Sequence, residues 1–419
     1  MTVNGADPTF PVLHGRPPTG WINDPNGCGR IDGVWHVFYQ LNPAAPTHRL
    51  IHWGHMSSPD LVRWTTEPVA LAPRADGPDS AGCWSGCLVD DPGVPTLVYT
   101  GVVDTSLHSS VLLARSDRDL RTFTRDEPPA AGMPADPSFT DVRDPYVFTV
   151  DGHLFAVQGA GRDGEGRVLV YDCDDLTRWS ELGTLLSADH PVVADVAGAD
   201  TWECPNLIKV GDDWVLIVSL LIRDPDRPNH VVWILGDLTV DDHGPAFAPR
   251  AAGRLDEGPA FYAPQVGTSA GRAVLWGWAW ELARTAQQVS DVGWAGVLTF
   301  PRELGVRDGR LVARPVPELE QLRAGPAPLD RLPRAFEVVC ARHPDPPTDL
   351  RLELDGNPVW TEPLPVHRIF VDGSLIEVFT GDGRTFTTRA HPSRDPAWRL
   401  TGDLTDVTVH RLAMHRAVR

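Results

Sequence analysis

The stretch SSPDLVRW (57–64) returns, altered but recognisable, as SDRDLRTF (116–123) and DCDDLTRW (172–179). Each copy carries Asp-Leu-x-x-aromatic, and LGDLTV (235–240) reads as a decayed fourth. The Asp of the pair falls at 60, 119, 175 and 237, in steps of 59, 56 and 62 residues. A period near 60 with several short strands per unit suggests the blades of a β-propeller, each of four antiparallel strands. The intervening runs agree: VWHVFYQ (34–40), TLVYT (96–100), HLFAVQ (153–158), WVLIVSLL (214–221) and AVLWGW (273–278) are strand-like. No amphipathic helical pattern lasts beyond about two turns. The nearest is PVPELEQLR (315–323), with Leu319 and Leu322 three apart. The 38 glycines and 40 prolines among 419 residues exceed the usual share of about 12%, as many tight turns require. The expected fold class is all-β.

The same period brings polar residues into register. Steps of 61, 59, 59 and 59 from Asp24 in WINDPNG (21–27) land on Ser85, Asp144, Glu203 and Tyr262. Each precedes a strand-rich stretch, so each should begin the innermost strand of a blade. Five such positions imply five blades over about residues 10–300. The starts of inner strands share one end of the central channel, so Asp24, Asp144 and Glu203 should converge in one funnel. By itself WINDPNG reads as a tight turn; the repeat gives Asp24 a second purpose.

Paired carboxylates flanking a bond are the equipment of glycoside hydrolysis, one ionised and one carrying a proton. Arg143 is expected to hold its neighbour Asp144 ionised, while Glu203, between Trp202 and Cys204, is expected in a less polar setting suited to a proton donor. Trp21, Trp53, Trp84, Trp202, Trp276, Trp278 and Trp280 are candidates for stacking on a sugar. A core role is the default for a tryptophan; Trp53 and Trp84, flanked by polar motif residues, are expected at the sugar.

Charge and composition exclude other classes. A net charge of −19 without a Lys/Arg cluster argues against nucleic acid and anionic membranes. No apolar stretch approaches the ~18 residues of a membrane span. MTVNGADPTFPVLHGRPPTG (1–20) has neither a basic nor an apolar leader region, so a cytoplasmic location is expected. Six cysteines in so long a chain form no disulfide scaffold. Cys83 and Cys87 lack a nearby second pair of ligands and read as buried thiols rather than a metal site. His52 and His55, three apart in a strand-like segment, should face opposite ways. Ser85 in WSGC lacks the nucleophile-elbow pattern. No metal and no organic cofactor are expected, and the oligomeric state is left open.

Taken together, WINDPNG, VFYQLNP (37–43), HWGHMSSPDLVRW (52–64), WSG (84–86), RDP (143–145), ECP (203–205), FYAPQ (261–265) and GWAGVLTFPREL (293–304) closely resemble glycoside hydrolase family 32, the β-fructofuranosidases. RIFVDGSLIEVF (368–379) and TTRAHP (387–392) resemble that family's C-terminal β-sandwich. The resemblance implies a five-bladed propeller over 1–305, a linker over 306–334 and a sandwich module over 335–419. It implies Asp24 as nucleophile, Glu203 as acid/base and Asp144 as transition-state stabiliser. Asn23, Gln40, Trp53, Trp84, Ser85 and Arg143 match positions lining the fructose subsite. Asp256 matches an acid reaching toward the leaving-group sugar, and Trp278 is taken as a further contact. The implied substrate is a small carbohydrate, sucrose or a short fructo-oligosaccharide. A fructosyltransferase and a non-catalytic sugar-binding propeller are the competing readings.

Overall fold

The computed structural model describes residues 7–104, 108–340, 350–361, 366–393, 396–402 and 404–414. Five sheets follow one another along the chain. The first four run through Gly20–Ile31 to Thr65–Thr66, Gly82–Asp91 to Phe123–Arg125, Phe139–Val150 to Ser180–Ser187, and Thr201–Val210 to Gly244–Arg254. The fifth joins Phe261–Ser269, Arg272–Ala279, Arg302–Arg307 and Arg310–Pro315, with Val297–Leu298 paired alongside. The first strands of successive sheets touch in a closed ring, the fifth returning to the first. These are the five blades of a β-propeller, with the first strands innermost. Gly20 and Trp21 pair in parallel with Trp294 and Ala295 from the fifth blade, joining the two ends of the ring.

The repeat that announced the blades is the turn between third and fourth strands. Asp60, Asp119 and Asp175 each accept a backbone N–H two residues on, at 3.1, 3.1 and 2.9 Å, the bond by which an Asp side chain closes a turn. Leu61, Leu120 and Leu176, at 1%, 0% and 3% exposure, plug the blade behind that turn. In the fourth blade the decayed copy, Asp237-Leu238, lies within the strand His230–Asp241 instead.

Inner strands of neighbouring blades are tied by amides just past the site motifs. Asn26 Oδ1 accepts Gly86 N–H at 3.3 Å. Asn206 accepts Val266 N–H at 2.9 Å and donates to the Pro264 carbonyl at 3.0 Å. Gln265 accepts Cys28 N–H at 2.8 Å and donates to the Gly86 carbonyl at 2.6 Å. In WINDPNG, then, Asn26 fastens the ring that Asp24 faces.

Past the fifth blade, Pro317–Leu322 forms a 3₁₀ helix that buries Leu319 and Leu322, the pair expected to be helical. The sandwich follows, with a six-stranded sheet and a three-stranded sheet over a core that includes Phe336, Ile369, Val371, Ile376, Val378 and Trp398. Both modules reach into the stretch read as a linker. The hairpin at Asp308 and Gly309, whose φ values are 54° and 70°, carries the fifth blade on to Pro315, beyond the expected boundary at 305. On the other side Arg323–Pro326 joins the six-stranded sheet.

That sheet is buried on both faces. Along Val366–Asp372 and Leu375–Thr380, Ile369, Val371, Ile376 and Val378 enter the sandwich core, while Phe370 and Phe379 join the propeller's core. Strand alternation sends Glu377 the same way as Phe379. There it accepts from Arg302 of the fifth blade at 2.7 Å, and Arg302 also donates to Asp256 at 2.8 Å. His14 of the N-terminal segment completes the cluster, bridging Asp372 at 2.8 Å and Glu377 at 3.1 Å. No helix among the described residues is long and apolar enough to cross a membrane. The helix Ala286–Val292, closed by a capping box at Thr285 and Gln288, was not expected.

Candidate active site

Each inner strand is interrupted where its motif falls. Register shifts lie between Ile22 and Pro25, Trp84 and Gly86, Glu203 and Asn206, and Tyr262 and Gln265. In the third blade the break falls between Val157 and Gly159, opposite Arg143 to Tyr146. Such bulges re-aim a side chain away from the ordinary strand alternation. Asp144, Cys204 and Ala263 have φ of 61°, 45° and 46°, in the left-handed region that non-glycine residues seldom occupy. Each precedes a proline, as Asp24 does. The equivalent positions are therefore Asp24, Ser85, Asp144, Cys204 and Ala263. Glu203 and Tyr262 stand one residue earlier, level with Arg143, a correction to the expected stepping.

The three carboxylates meet at the head of the channel around Cys204, whose sulfur lies 3.7 Å from Asp24 Oδ2 and 3.5 Å from Asp144 Oδ2. Asp24 is held by Asn23 at 2.9 Å, Ser85 at 2.7 Å and Gln40 at 3.2 Å. Gln40 is itself fixed: it donates to Ser85 at 2.6 Å and accepts from Asn23 at 2.9 Å. Asp144 accepts Cys204 N–H at 2.9 Å, and its own N–H donates to Thr100 Oγ1 at 2.9 Å. Glu203 accepts Arg143 Nε and Nη2 at 3.1 and 2.9 Å and the Tyr262 hydroxyl at 2.6 Å.

Electrostatics depart from expectation here. Arg143 spends its fork on Glu203 and its remaining nitrogen on buried Asp141, while its Nε stays 4.0 Å from Asp144. A strand neighbour in sequence is not the neighbour in space. Burial pushes the Asp144 carboxyl up to about 7; the nearby Arg143 charge opposes this and the Glu203 charge adds to it. Burial also raises Asp24, to about 6, against the Ser85 hydrogen bond and with the Glu203 charge. Glu203 sits among donors rather than in the less polar setting expected.

Asn23, Gln40, Ser85 and Arg143 all touch these carboxylates. Trp84 is partly exposed near the Arg143 guanidinium, 5.8 Å from ring centroid to Cζ. Trp278 meets Trp21 edge-on at 5.6 Å, and Trp21 donates to Asn23 at 2.8 Å. Two expected contacts lie elsewhere. Trp53 is fully buried, packed against Phe38 and Tyr99, and donates to the Trp84 carbonyl at 3.0 Å; it supports the site from behind and offers no face to a sugar. Asp256, 2% exposed, is enclosed by Arg302, Thr385 and Thr387 at the seam between propeller and sandwich. Trp202 and Trp276 are also core residues.

Sequence reading passed over four residues. Tyr262 had been reached by the repeat but given no role, and Cys204 follows Glu203 directly. Asp141, two residues before Arg143, anchors that side chain. His48 is an exposed rim residue whose Nε2 is 3.2 Å from Gln40 Oε1, with its ring 6.2 Å from Trp21 and 6.1 Å from Trp84; nothing in its own segment, PAAPTHRL, marks it. Among the described residues no group of three or more His, Cys, Asp or Glu side chains is arranged to hold a metal ion.

Comparison with known proteins agrees with this geometry. The chain is 31% identical to a raffinose invertase of Escherichia coli over 92% of this chain and 90% of that one. It is 35% identical to a sucrose-6-phosphate hydrolase of Zymomonas mobilis over 80% of this chain and 66% of that one, so here it spans just under two thirds of its relative. A GH32 β-fructofuranosidase from Bombyx mori, 27% identical, superposes with a TM-score of 0.81 over 97% of this chain and 94% of that one. A variant of that enzyme was solved in complex with sucrose. The description "Glycosyl hydrolases family 32 N-terminal domain" matches residues 14–315, the five blades, and "Glycosyl hydrolases family 32 C terminal" matches 365–410 within the sandwich. With propeller, carboxylate cluster and sandwich all accounted for, the chain belongs to glycosyl hydrolase family 32.

Proposed function

We propose that this chain is a retaining β-fructofuranosidase that hydrolyses sucrose or short fructo-oligosaccharides, with Asp24 as nucleophile, Glu203 as acid/base and Asp144 as stabiliser of the transition state. The observation that carries the reading is the convergence of three carboxylates from three blades, with Asp24 fixed by three donors. Two of these, Ser85 and Gln40, hold its Oδ2, and its Oδ1 has a single donor, Asn23. Asp24 attacks the anomeric carbon of fructose as the bond to the leaving oxygen breaks, and Glu203 gives that oxygen a proton. Water then attacks the fructosyl–Asp24 ester while Glu203 takes the water's proton back. Two inversions leave the released fructose in the β configuration. NMR begun before mutarotation should show β-fructose first; α-fructose first would overturn the nucleophile. Trisaccharides and excess glucose from concentrated sucrose would instead point to transfer.

Asp144→Asn should lose about 10²–10³-fold in kcat, the scale of one strong electrostatic contact to the transition state, with the fold intact. The charge of Asp144 offsets the positive charge that develops on the sugar ring. A variant keeping over half of wild-type kcat would mean that Asp144 has another task.

The relatives' names divide between raffinose and sucrose 6-phosphate, and one solved neighbour holds unphosphorylated sucrose. Partly exposed Trp21, Trp84 and Trp278 at the mouth, with Arg143 already spent, suit an uncharged leaving sugar. Arg49, exposed beside His48 and making no ion pair among the described residues, favours the phosphate ester. Comparing kcat/KM for the two substrates in wild type and Arg49→Gln separates these readings: only the phosphate ester should suffer from the substitution.

A further inference from the structure

Far from the carboxylate cluster, the outer edge of the fifth blade and the sandwich enclose a cleft of about 530 Å³, within the roughly 300–1,000 Å³ of ligand pockets. Leu304, Val306, Val312 and Pro317 give it an apolar wall, and three arginines from both modules line it, Arg307 and Arg314 from the blade and Arg368 from the sandwich, together with Glu303 and Glu320.

Those arginines hold unspent donors. The Arg368 side chain is 8% exposed, and its Nε donates to Glu337 at 2.5 Å. Its Nη2 has no hydrogen-bond partner but also no exposed surface, so the donor that can meet a ligand is Nη1, which makes no hydrogen bond among the described residues. The Arg314 side chain makes no hydrogen bond or ion pair among the described residues, and Arg307 gives one N–H to the Gly381 carbonyl at 2.9 Å. The nearby carboxylates are already engaged. Glu303 takes Arg272 at 3.0 Å and Glu320 takes Arg323 at 3.3 Å. Glu337, behind Arg368, also takes Arg323 at 2.7 Å. In a chain of net charge −19, every uncommitted group named in this cleft is cationic.

We propose that this cleft is an oxyanion site, taking inorganic phosphate or the phosphate of a small organic ester through Arg368 and Arg314, with Arg307 at its edge. Planar guanidinium forks match phosphate oxygens two at a time, and the apolar wall leaves room for an organic body. The site is separate from the fructoside chemistry and does not depend on it.

Calorimetric titration of the full chain at low salt tests this with three probes: inorganic phosphate, glucose 6-phosphate and glucose. Saturable one-site binding of both phosphates is expected, with Kd on the order of 1 mM or tighter, and none of glucose. Glucose 6-phosphate binding well above phosphate would assign an organic ester as the ligand; equal affinities would assign the free ion. Arg314→Gln, at an exposed position, should weaken binding about tenfold and keep the fold; Arg368→Gln should abolish it. Arg49→Gln, at the rim of the carboxylate site, should leave the binding of inorganic phosphate unchanged, and any part of glucose 6-phosphate binding that it removes belongs to the carboxylate site. Absence of saturable binding overturns the proposal. So does binding that Arg49→Gln removes and Arg314→Gln spares. Sucrose turnover of the same samples reports on the proposed function independently.

Discussion

Asp24→Asn should lower kcat on sucrose by about 10⁴-fold or more, the loss that follows removal of a covalent nucleophile, and should raise thermal stability at neutral pH. An amide of the same shape cannot form the fructosyl ester, so oxyanion-like contacts and substrate binding alone remain. The gain in stability follows from the burial that holds the Asp24 carboxyl up at about 6. A carboxyl whose folded pKa lies above its ordinary 3.8 destabilises the folded state wherever it must ionise. The penalty is full above pH about 6, shrinks as pH falls and vanishes below the ordinary value. At pH 7 it amounts to roughly 2–3 kcal/mol. The substituted amide keeps an acceptor for Asn23, and the Ser85 hydroxyl can turn to accept from its NH₂ group; the Gln40 amide loses its acceptor on Oδ2 and keeps Ser85, which offsets part of the gain. The melting-temperature gap between variant and wild type should therefore be largest near pH 7 and close toward pH 4. A variant that is inactive and also less stable across that range would point to damage rather than to a lost nucleophile. The same burial predicts that wild-type kcat/KM falls with acid from pH about 7 downward, as Asp144 and then Asp24 take up protons. Because Asp24, Asp144 and Glu203 interact, the apparent value belongs to the cluster rather than to one side chain.

What could be read without coordinates is what repeats. The blade period is written into the chain because each Asp-Leu turn needs an Asp to close it and a Leu to plug the blade, whatever surrounds them. The convergence of Asp24, Asp144 and Glu203 follows from that period alone, since equivalent strand starts must share one end of a closed ring. Details inside a bulge were not legible. Glu203 falls one residue before the position equivalent to Asp144, and Arg143 turns to Glu203 rather than to its own neighbour. Both depend on backbone bends that residue spacing does not encode. Trp53 and Asp256 were misread for a related reason. Polar flanks suggested that Trp53 faces a sugar, but its burial comes from Phe38 and from Tyr99, in the next blade. The environment of Asp256 is built from Thr385 and Thr387, some 130 residues onward in a different module. Local motifs cannot report partners brought in by the tertiary fold.

Arg302→Met should cost about 3–5 kcal/mol of stability, the range for removing one partner of a buried ion pair. Arg302 is 1% exposed and donates to Asp256, Glu377, Thr385 and Thr387, its cation between the Phe261 and Phe379 rings at 4.8 and 5.3 Å. Methionine fills much of that space and leaves two buried carboxylates in one another's field, Asp256 without a cation and Glu377 with only His14. The stranded charge, rather than the lost hydrogen bonds, should dominate the cost. Asp256→Asn added to Arg302→Met should therefore recover part of the stability, whereas simple loss of contacts would make the double variant worse. Urea denaturation of both variants distinguishes these outcomes. His14 makes the seam sensitive to pH: its two carboxylate partners raise its pKa against the effect of burial. Its contribution should be full below the ordinary His value of 6.5 and be lost as pH rises through the raised one, so the cost of Arg302→Met should grow on the alkaline side, when Glu377 loses its second cation. Asp256→Asn alone carries the functional half of the test. Asp256 lies at the seam and not beside the fructoside, so kcat/KM on sucrose per folded molecule should match wild type. A selective rise in KM with stability unchanged would return Asp256 to the leaving-group sugar.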